Sequence, residues 1–338
     1  MTQDLDNVDF PLSRRRLLGG SLGLGAVAAW PGAALAQPAA WPSKSVRFVV
    51  PFAPGGSSEI VARATAAEMA KLLGQSVYVD NKPGAAGNVA MQEVARAEDQ
   101  HTLILGHIGT LAVNPFIFDK LPYDPNKDFK PISLLAKVPS LYLVHPSVPA
   151  NNLKEFIALA KSRPGRMNYG SAGNGSAGHL AFEYLKMATN TFIVHVPYRG
   201  TGPQLTDLLA GRLEAASVGA PAVMQFIKTG KLRCIATGTP QRLPQLPDVP
   251  TVAEQGFPGF EMTQWYGLLA PANLAAPASA ILAQAASKAV LSPVATEHLS
   301  KEAAIAVGST PADFAKFIAQ EQQRWKPVLL RAKVRPDN

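Results

Sequence analysis

The chain has 338 residues, 47% apolar and 17% charged, with 29 prolines, 27 glycines and a formal charge of +8. That is ordinary globular composition, long enough for a core or two, and it excludes a disordered or low-complexity chain. The positive charge does not point to nucleic acid, because the lysines and arginines are scattered and no block of five or six occurs; an anionic small ligand fits it better.

The first 36 residues read as an export signal. Ser13-Arg14-Arg15-Arg16-Leu17-Leu18 is a twin-arginine pattern, an apolar glycine-rich run follows to Ala29, and Ala34-Leu35-Ala36 supplies small residues for cleavage. The expectation is cleavage after Ala36 and a soluble periplasmic protein starting at Gln37. The run is too short and glycine-rich for a membrane span. Gly19-Gly20-Ser21-Leu22-Gly23 matches the serine-hydrolase elbow but lies inside the signal, so it carries no weight. The segment holds three arginines and three aspartates, so its removal leaves the charge unchanged. The single cysteine, Cys234, allows no internal disulfide and reads as a buried core residue.

After the signal, strand-like and helix-like segments alternate. VRFVVPF (46–52) is a buried-strand pattern. Ser57 or Ser58 is placed to cap the next helix, with Ile60, Val61, Ala64, Ala67 and Leu72 on its apolar side and Gly74 as its stop. Further strands are expected at 76–81, 101–107, 140–147, 166–171, 192–198, 213–219 and 232–238, with helices between them. This is an α/β pattern with mainly parallel sheets. Beyond WYGLLAP (265–271) the chain reads as helices. The apolar runs LYLVHPS and MTQWYGLLAP are expected to cross between two lobes. Residues 37–138 with 262–338 would then form lobe 1, and 139–261 lobe 2.

Two glycine loops carry the chemistry. Gly173-Asn174-Gly175-Ser176-Ala177-Gly178 matches G-x-G-x-x-G between a strand and a helix, and Pro51-Phe52-Ala53-Pro54-Gly55-Gly56-Ser57-Ser58-Glu59 has the same placement. Glycines let a ligand approach the backbone, serines add hydroxyl donors, and a helix N-terminus presents unpaired N–H groups and partial positive charge. That suits a carboxylate or a phosphate. A dinucleotide site would need an acid about 20 residues on, at the next strand end. The place reads Val196-Pro197-Tyr198-Arg199 instead. Tyr198 and Arg199 open a third glycine-rich turn at a strand end, where Arg199 could pair with an anion. Thr110 and Asn114, after the strand ending at His107, are a fourth candidate wall. All four lie at carboxyl ends of strands, where open α/β sheets bind ligands. The six histidines show no metal spacing. His179 falls in the first turn of its helix, where bonding to the loop or ligand is expected, and Ser176 reads as a cap or anion donor.

PFAPGGSSEIVAR, YGSAGNGSAGHLAFEYLK, VPYRGTGPQLTDLLAGR, GKLRCIATG, DVPTVAEQGFPGFE and WYGLLAPA together resemble the Bug-type periplasmic solute-binding receptors of tripartite tricarboxylate transporters, from Trp41 to about Val328. The resemblance implies a two-lobe α/β fold like class II periplasmic binding proteins, with two crossing strands and a central cleft. It implies a carboxylate ligand, membrane transporter subunits as partners, a monomer, and no cofactor, metal or catalysis. Carried over, Phe52, Ala53, Gly56, Ser57 and Ser58 form one jaw, with Gly55 and Glu59 of the same loop as further candidate ligand-binding residues, and Ser171, Gly173, Ser176 and His179 form the other. Two positions depart from the family pattern. Glu59 stands where an aspartate is usual, and Ser217 stands where an acid or amide often faces the cleft. A cleft with fewer acids favours a carboxylate without an amino group, since an ammonium needs a counter-charge. Two alternatives remain open: an exported hydrolase of small esters or acids using Ser176 and His179, and a ligand-sensing subunit of a signalling system.

Overall fold

The computed structural model describes residues 41–332, 334 and 335; the expected signal and its cleavage point lie outside them. Ten strands and ten helices alternate for most of the chain. They are β1 Val46–Val50, α1 Ser57–Leu73, β2 Val77–Asn81, α2 Asn88–Ala95, β3 Thr102–His107, α3 Asn114–Ile117, β4 Phe129–Val144, α4 Leu153–Ser162, β5 Asn168–Ser171, α5 Ala177–Thr189, β6 Val194–Pro197, α6 Thr201–Leu209, β7 Ala215–Gly219, α7 Met224–Lys228, β8 Arg233–Thr237, β9 Thr263–Pro271, α8 Ala276–Val290, α9 Pro293–Lys301, β10 Ile305–Ala306 and α10 Pro311–Ala332.

The strands form one path, β2-β1-β3-β9-β4-β7-β5-β6, with β8 and β10 also paired to β4. The expectation of mainly parallel sheets needs correcting. Both outer ends are parallel, β1 with β2 and β3, and β5 with β6 and β7. The middle is antiparallel, because β4 and β9 run against each other and against every other strand they touch. These two strands connect the ends of the path. β4 pairs with β9 from Phe129 to Pro139 and with β7 from Ser140 to Val144. The chain returns beside it where Gly238 donates to the Ser140 carbonyl (2.8 Å) and Met262 to the Gly238 carbonyl (2.7 Å).

Successive side chains on a strand point to opposite faces, and the cores follow that period. Val46, Phe48 and Val50 join Leu103 and Leu105 under α1 and α8, whereas Val49 and Ile104 face Met91 and Phe129. On the other half of β4, Leu141 and Leu143 pack with Leu208 and Met224, while Tyr142 packs with Phe182. Cys234 is buried in that smaller core, which pushes its thiol up to about 12.

Three local readings change. β4 is 16 residues long, yet its first half reads poorly as a strand because Pro131 and Pro139 interrupt it. Register shifts after Pro131 and Leu134 accommodate the break. In α1 the buried stripe is Val61, Ala62, Thr65, Ala66 and Met69, whereas Leu72 is exposed. Beyond β9 the helices are joined by the short edge strand β10, paired to Ala136 and Lys137. No single helix among the described residues is long and apolar enough to cross a membrane.

Candidate functional site

A small cavity of about 30 Å³ lies where the N-termini of α1 and α5 meet the ends of β3 and β7. Phe52, Ser57 and Ser58 line it from the first glycine loop, and Ala172, Ser176, Ala177 and Gly178 from the second. His107, Thr201, Gln204, Ser217, Val218, Gly219, Gln264 and Tyr266 complete the wall. None of these side chains is a carboxylate, an amine or a guanidinium.

The wall is polar without being self-satisfied. Among the described residues, five buried side-chain polar atoms make no hydrogen bond, and three belong to this wall: Ser57 Oγ, His107 Nε2 and Ser217 Oγ. Leaving such groups unpaired costs roughly 1–3 kcal/mol each, so folding alone does not explain them. The hydrogen bonds fix what His107 offers. Its Nδ1 accepts the Gly109 N–H at 2.8 Å. Full burial lowers its pKa to about 3, so the ring is neutral and its proton sits on Nε2. The cavity therefore meets one N–H and two hydroxyls able to donate. Both helix ends add main-chain N–H groups that lack intrahelical partners. Such a set solvates an anionic oxygen and offers nothing to balance an ammonium.

The first loop touches the third glycine-rich turn and the end of β7. Ala53 N–H donates to the Arg199 carbonyl at 3.4 Å. A Cβ at Gly219 would fall 2.4 Å from Ser57 Oγ, and one at Gly202 would fall 2.4 Å from the Pro54 carbonyl oxygen. The close approach, and not a positive φ, is what demands glycine at these two positions.

The expected jaw residues divide into wall and brace. Phe52, Ser57, Ser58, Ser176 and Ser217 line the cavity. Phe52 also lies 4.7 Å from the His107 ring, centroid to centroid. Ser57 and Ser58 do not cap α1, as the sequence suggested. Gly56 holds the N-cap position without a side-chain bond, so both serines stand in the first turn, and Ser57 keeps its hydroxyl for the cavity. Glu59 braces the loop, accepting the Gly55 N–H at 2.7 Å and pairing with Arg63.

In the second loop, Ser176 caps α5 by accepting the His179 N–H (3.3 Å), and His179 Nδ1 accepts the Gly175 N–H (3.1 Å). Ser171 Oγ accepts the Gly173 N–H (3.1 Å) and lies 2.6 Å from His195 Nε2. The His179 and His195 rings stack at 4.1 Å, and His195 stacks on Tyr169 at 4.9 Å. Burial, with Lys186 nearby, lowers His195 to about 4.

Thr110 and Asn114 are fully buried behind the wall. Thr110 Oγ1 accepts the His107 N–H, and Asn114 Nδ2 donates to Asn88 Oδ1 and to the Ala86 carbonyl. Tyr198 and Arg199 face an adjoining space of about 330 Å³, which shares Phe52 and Ala172 with the small cavity and is closed by residues 83–87. Tyr198 donates to Asp207 at 2.7 Å, and burial and that carboxylate push its phenol up to about 12.

Sequence reading missed Gln264 and Tyr266, which enter from β9, and Thr201 and Gln204, which enter from α6. The period-2 pattern of β9 was the available signal, placing 264 and 266 on one face. Among the described residues no group of three His, Cys, Asp or Glu side chains is placed to hold a metal ion.

Known proteins similar to this chain show its family and fold. The family model for the tripartite tricarboxylate transporter family receptor matches residues 61–333. The solved periplasmic binding protein BugD is 31% identical, with a TM-score of 0.85, over 88% of this chain and 100% of its own. A Rhodopseudomonas palustris protein solved with adipate is 34% identical, TM-score 0.85, over the same shares. MatC from Rhodopseudomonas palustris, solved with malate, is 35% identical, TM-score 0.82, over 86% of this chain and 100% of its own. The fold is thus the two-lobe periplasmic-binding-protein fold. The chain belongs to the tripartite tricarboxylate transporter receptor family, a family of solute-binding receptors and not of enzymes.

Proposed function

We propose that this chain is a periplasmic receptor that captures a small carboxylate lacking an amino group between its two glycine-rich loops and hands it, as a monomer, to membrane transporter subunits. One observation carries the reading: three unpaired buried groups, Ser57 Oγ, His107 Nε2 and Ser217 Oγ, face one uncharged cavity between two helix N-termini. The small cavity suits one carboxylate group, and the adjoining space beside Tyr198 and Arg199 suits the remainder of the ligand. Adipate and malate, held by two relatives, are acids of this kind.

In this reading the lobes divide as 37–138 with 262–338 and 139–261, after an export signal cleaved at Ala36. Closure brings Ser57 from one lobe against Ser217 and Gly219 from the other. A ligand that touches both sides stabilises the closed form through its differential affinity.

The test is native mass spectrometry of gently purified protein, followed by calorimetry with dicarboxylates, monocarboxylates and amino acids. Micromolar binding of a carboxylate without an amino group is expected. Tight binding of aspartate or glutamate, with all other acids ignored, would overturn the proposal.

A further inference from the structure

The strand β9 has two faces, and each lines a different space. Gln264 and Tyr266 face the small cavity. Thr263 and Trp265, one residue out of phase, face a groove of about 450 Å³. β4 contributes Lys137 and Pro139 to the same groove, α10 contributes Phe317 and Arg324, and the segment after β8 contributes Thr239 to Gln241 and Leu243. The groove therefore lies over the middle of the sheet path, on the side of the crossing strands away from the cavity. Its volume lies in the range of sites that take small organic molecules, roughly 300–1,000 Å³.

Its chemistry is selective. In the antiparallel register, Ile305, Lys137 and Trp265 stand side by side across β10, β4 and β9. Ile305 is 59% exposed, an unusual place for a large aliphatic side chain on a groove wall. Lys137 is half-buried, its ammonium 5.1 Å from the Phe317 ring centroid, with no carboxylate of the described residues within ion-pair distance. The acids nearby are already engaged. Glu321 accepts the indole N–H groups of Trp265 (2.8 Å) and Trp325 (3.0 Å), and Glu261 lies 3.9 Å from Arg324. An unmatched cation beside an apolar wall calls for an anion with an apolar body.

We propose that this groove is a second ligand site, for a small organic anion with an aromatic or aliphatic body, and that its occupancy shifts the affinity of the cleft through β4 and β9. The binding half stands on the groove alone; the coupling half rests on the two-lobe receptor reading. In that reading Thr239 to Leu243 belong to one lobe and Ile305, Phe317 and Arg324 to the other, so an occupant that touches both favours whichever lobe arrangement fits it, and linkage makes that effect reciprocal.

The probe is 8-anilinonaphthalene-1-sulfonate, titrated into the full-length exported protein and followed by energy transfer from tryptophan. Lys137→Met is expected to weaken binding at least tenfold. Ile305→Asp, at an exposed position of a short edge strand, is expected to abolish it with Tm unchanged. Saturating probe is expected to change the cleft's carboxylate affinity at least threefold in the starting protein and not in Ile305→Asp. If both variants bind the probe within twofold of the starting protein, the groove proposal fails even where the carboxylate isotherm is intact. If the variants respond but carboxylate affinity stays constant, the coupling fails. If no carboxylate binds while the variants respond, the receptor reading fails and the groove site stands.

Discussion

The two loops that meet at the cavity share glycines and serines but are built on different physics. In the first, Gly56 replaces a side-chain cap, Glu59 ties back the Gly55 N–H, and the Ser57 hydroxyl is left unpaired toward the cavity. In the second, the serine hydroxyls are spent within the loop: Ser176 on the His179 N–H, Ser171 on Gly173 and His195. Beneath it lies a stack of His179, His195, Tyr169 and Phe182. One loop leaves a donor unpaired at the cavity. In the other the serines are bonded within the fold, which leaves mainly main-chain N–H groups. Motif similarity does not imply similar roles, because a hydroxyl already bonded in the fold has little left to give a ligand.

That contrast can be broken most severely where the first loop meets the end of β7. Gly219→Val places a Cβ 2.4 Å from Ser57 Oγ and 2.9 Å from Val138 Cγ1. Overpacking of this kind costs about 1–3 kcal/mol, and here it falls on the closed form, so carboxylate affinity should drop roughly hundredfold. Calorimetry reads it, with circular dichroism checking the fold. Unchanged affinity would mean that the end of β7 does not close on Ser57.

Acid titration probes the second loop and the His107 wall together. Both His107 and His195 have folded pKa values below the ordinary 6.5, about 3 and about 4. The unfolded chain binds these protons first, so the stability is fully present above pH 6.5 and is lost as pH falls toward 4. At about 1.4 kcal/mol per pH unit, each histidine should cost the fold about 2 kcal/mol by pH 5. Tm measured from pH 7.5 to 5 should fall, and His107→Gln should flatten part of the slope. A flat profile would show that these rings are solvated.

Ser171→Ala is the mildest cut, removing the hydroxyl that the Gly173 N–H and His195 share. It should lower stability by about 1–2 kcal/mol, read by urea denaturation, while affinity falls less than tenfold. A larger loss of affinity than of stability would place Ser171 in contact with ligand.

Much of this was legible in sequence. Strand ends followed by glycine and serine mark loops that present N–H groups, and Phe52, Ser57, Ser58 and Ser176 were found that way, whereas Ser217 came only from the family resemblance. Gly74 and Ser176 were readable as a helix stop and a helix start, and the structure places them there. The rest was hidden for identifiable reasons. Pro131 and Pro139 disguised half of β4; a register shift directly follows Pro131, and Pro139 stands where β4 leaves β9 for β7. The period of β9 put Gln264 and Tyr266 on one face, but that this face meets the cavity follows from the pairing of β9 between β3 and β4, a tertiary fact. Thr110 and Asn114 sit at the right strand end but point into the protein, where they hold His107 and the 84–87 turn. Unpaired buried atoms, the strongest marks of the site, exist only once the fold is known.

The central claim is that Ser57 and Ser217 keep buried hydroxyls unpaired for a ligand at the expense of the unliganded fold. The double variant Ser57→Ala, Ser217→Ala tests it in one protein, by unliganded Tm and by carboxylate affinity. Removing unpaired buried hydroxyls should leave Tm equal or higher, while losing two hydrogen bonds to a charged oxygen should weaken binding roughly hundredfold or more. A lower Tm with undiminished affinity would contradict the account, because it would show these hydroxyls serving the fold and not the ligand.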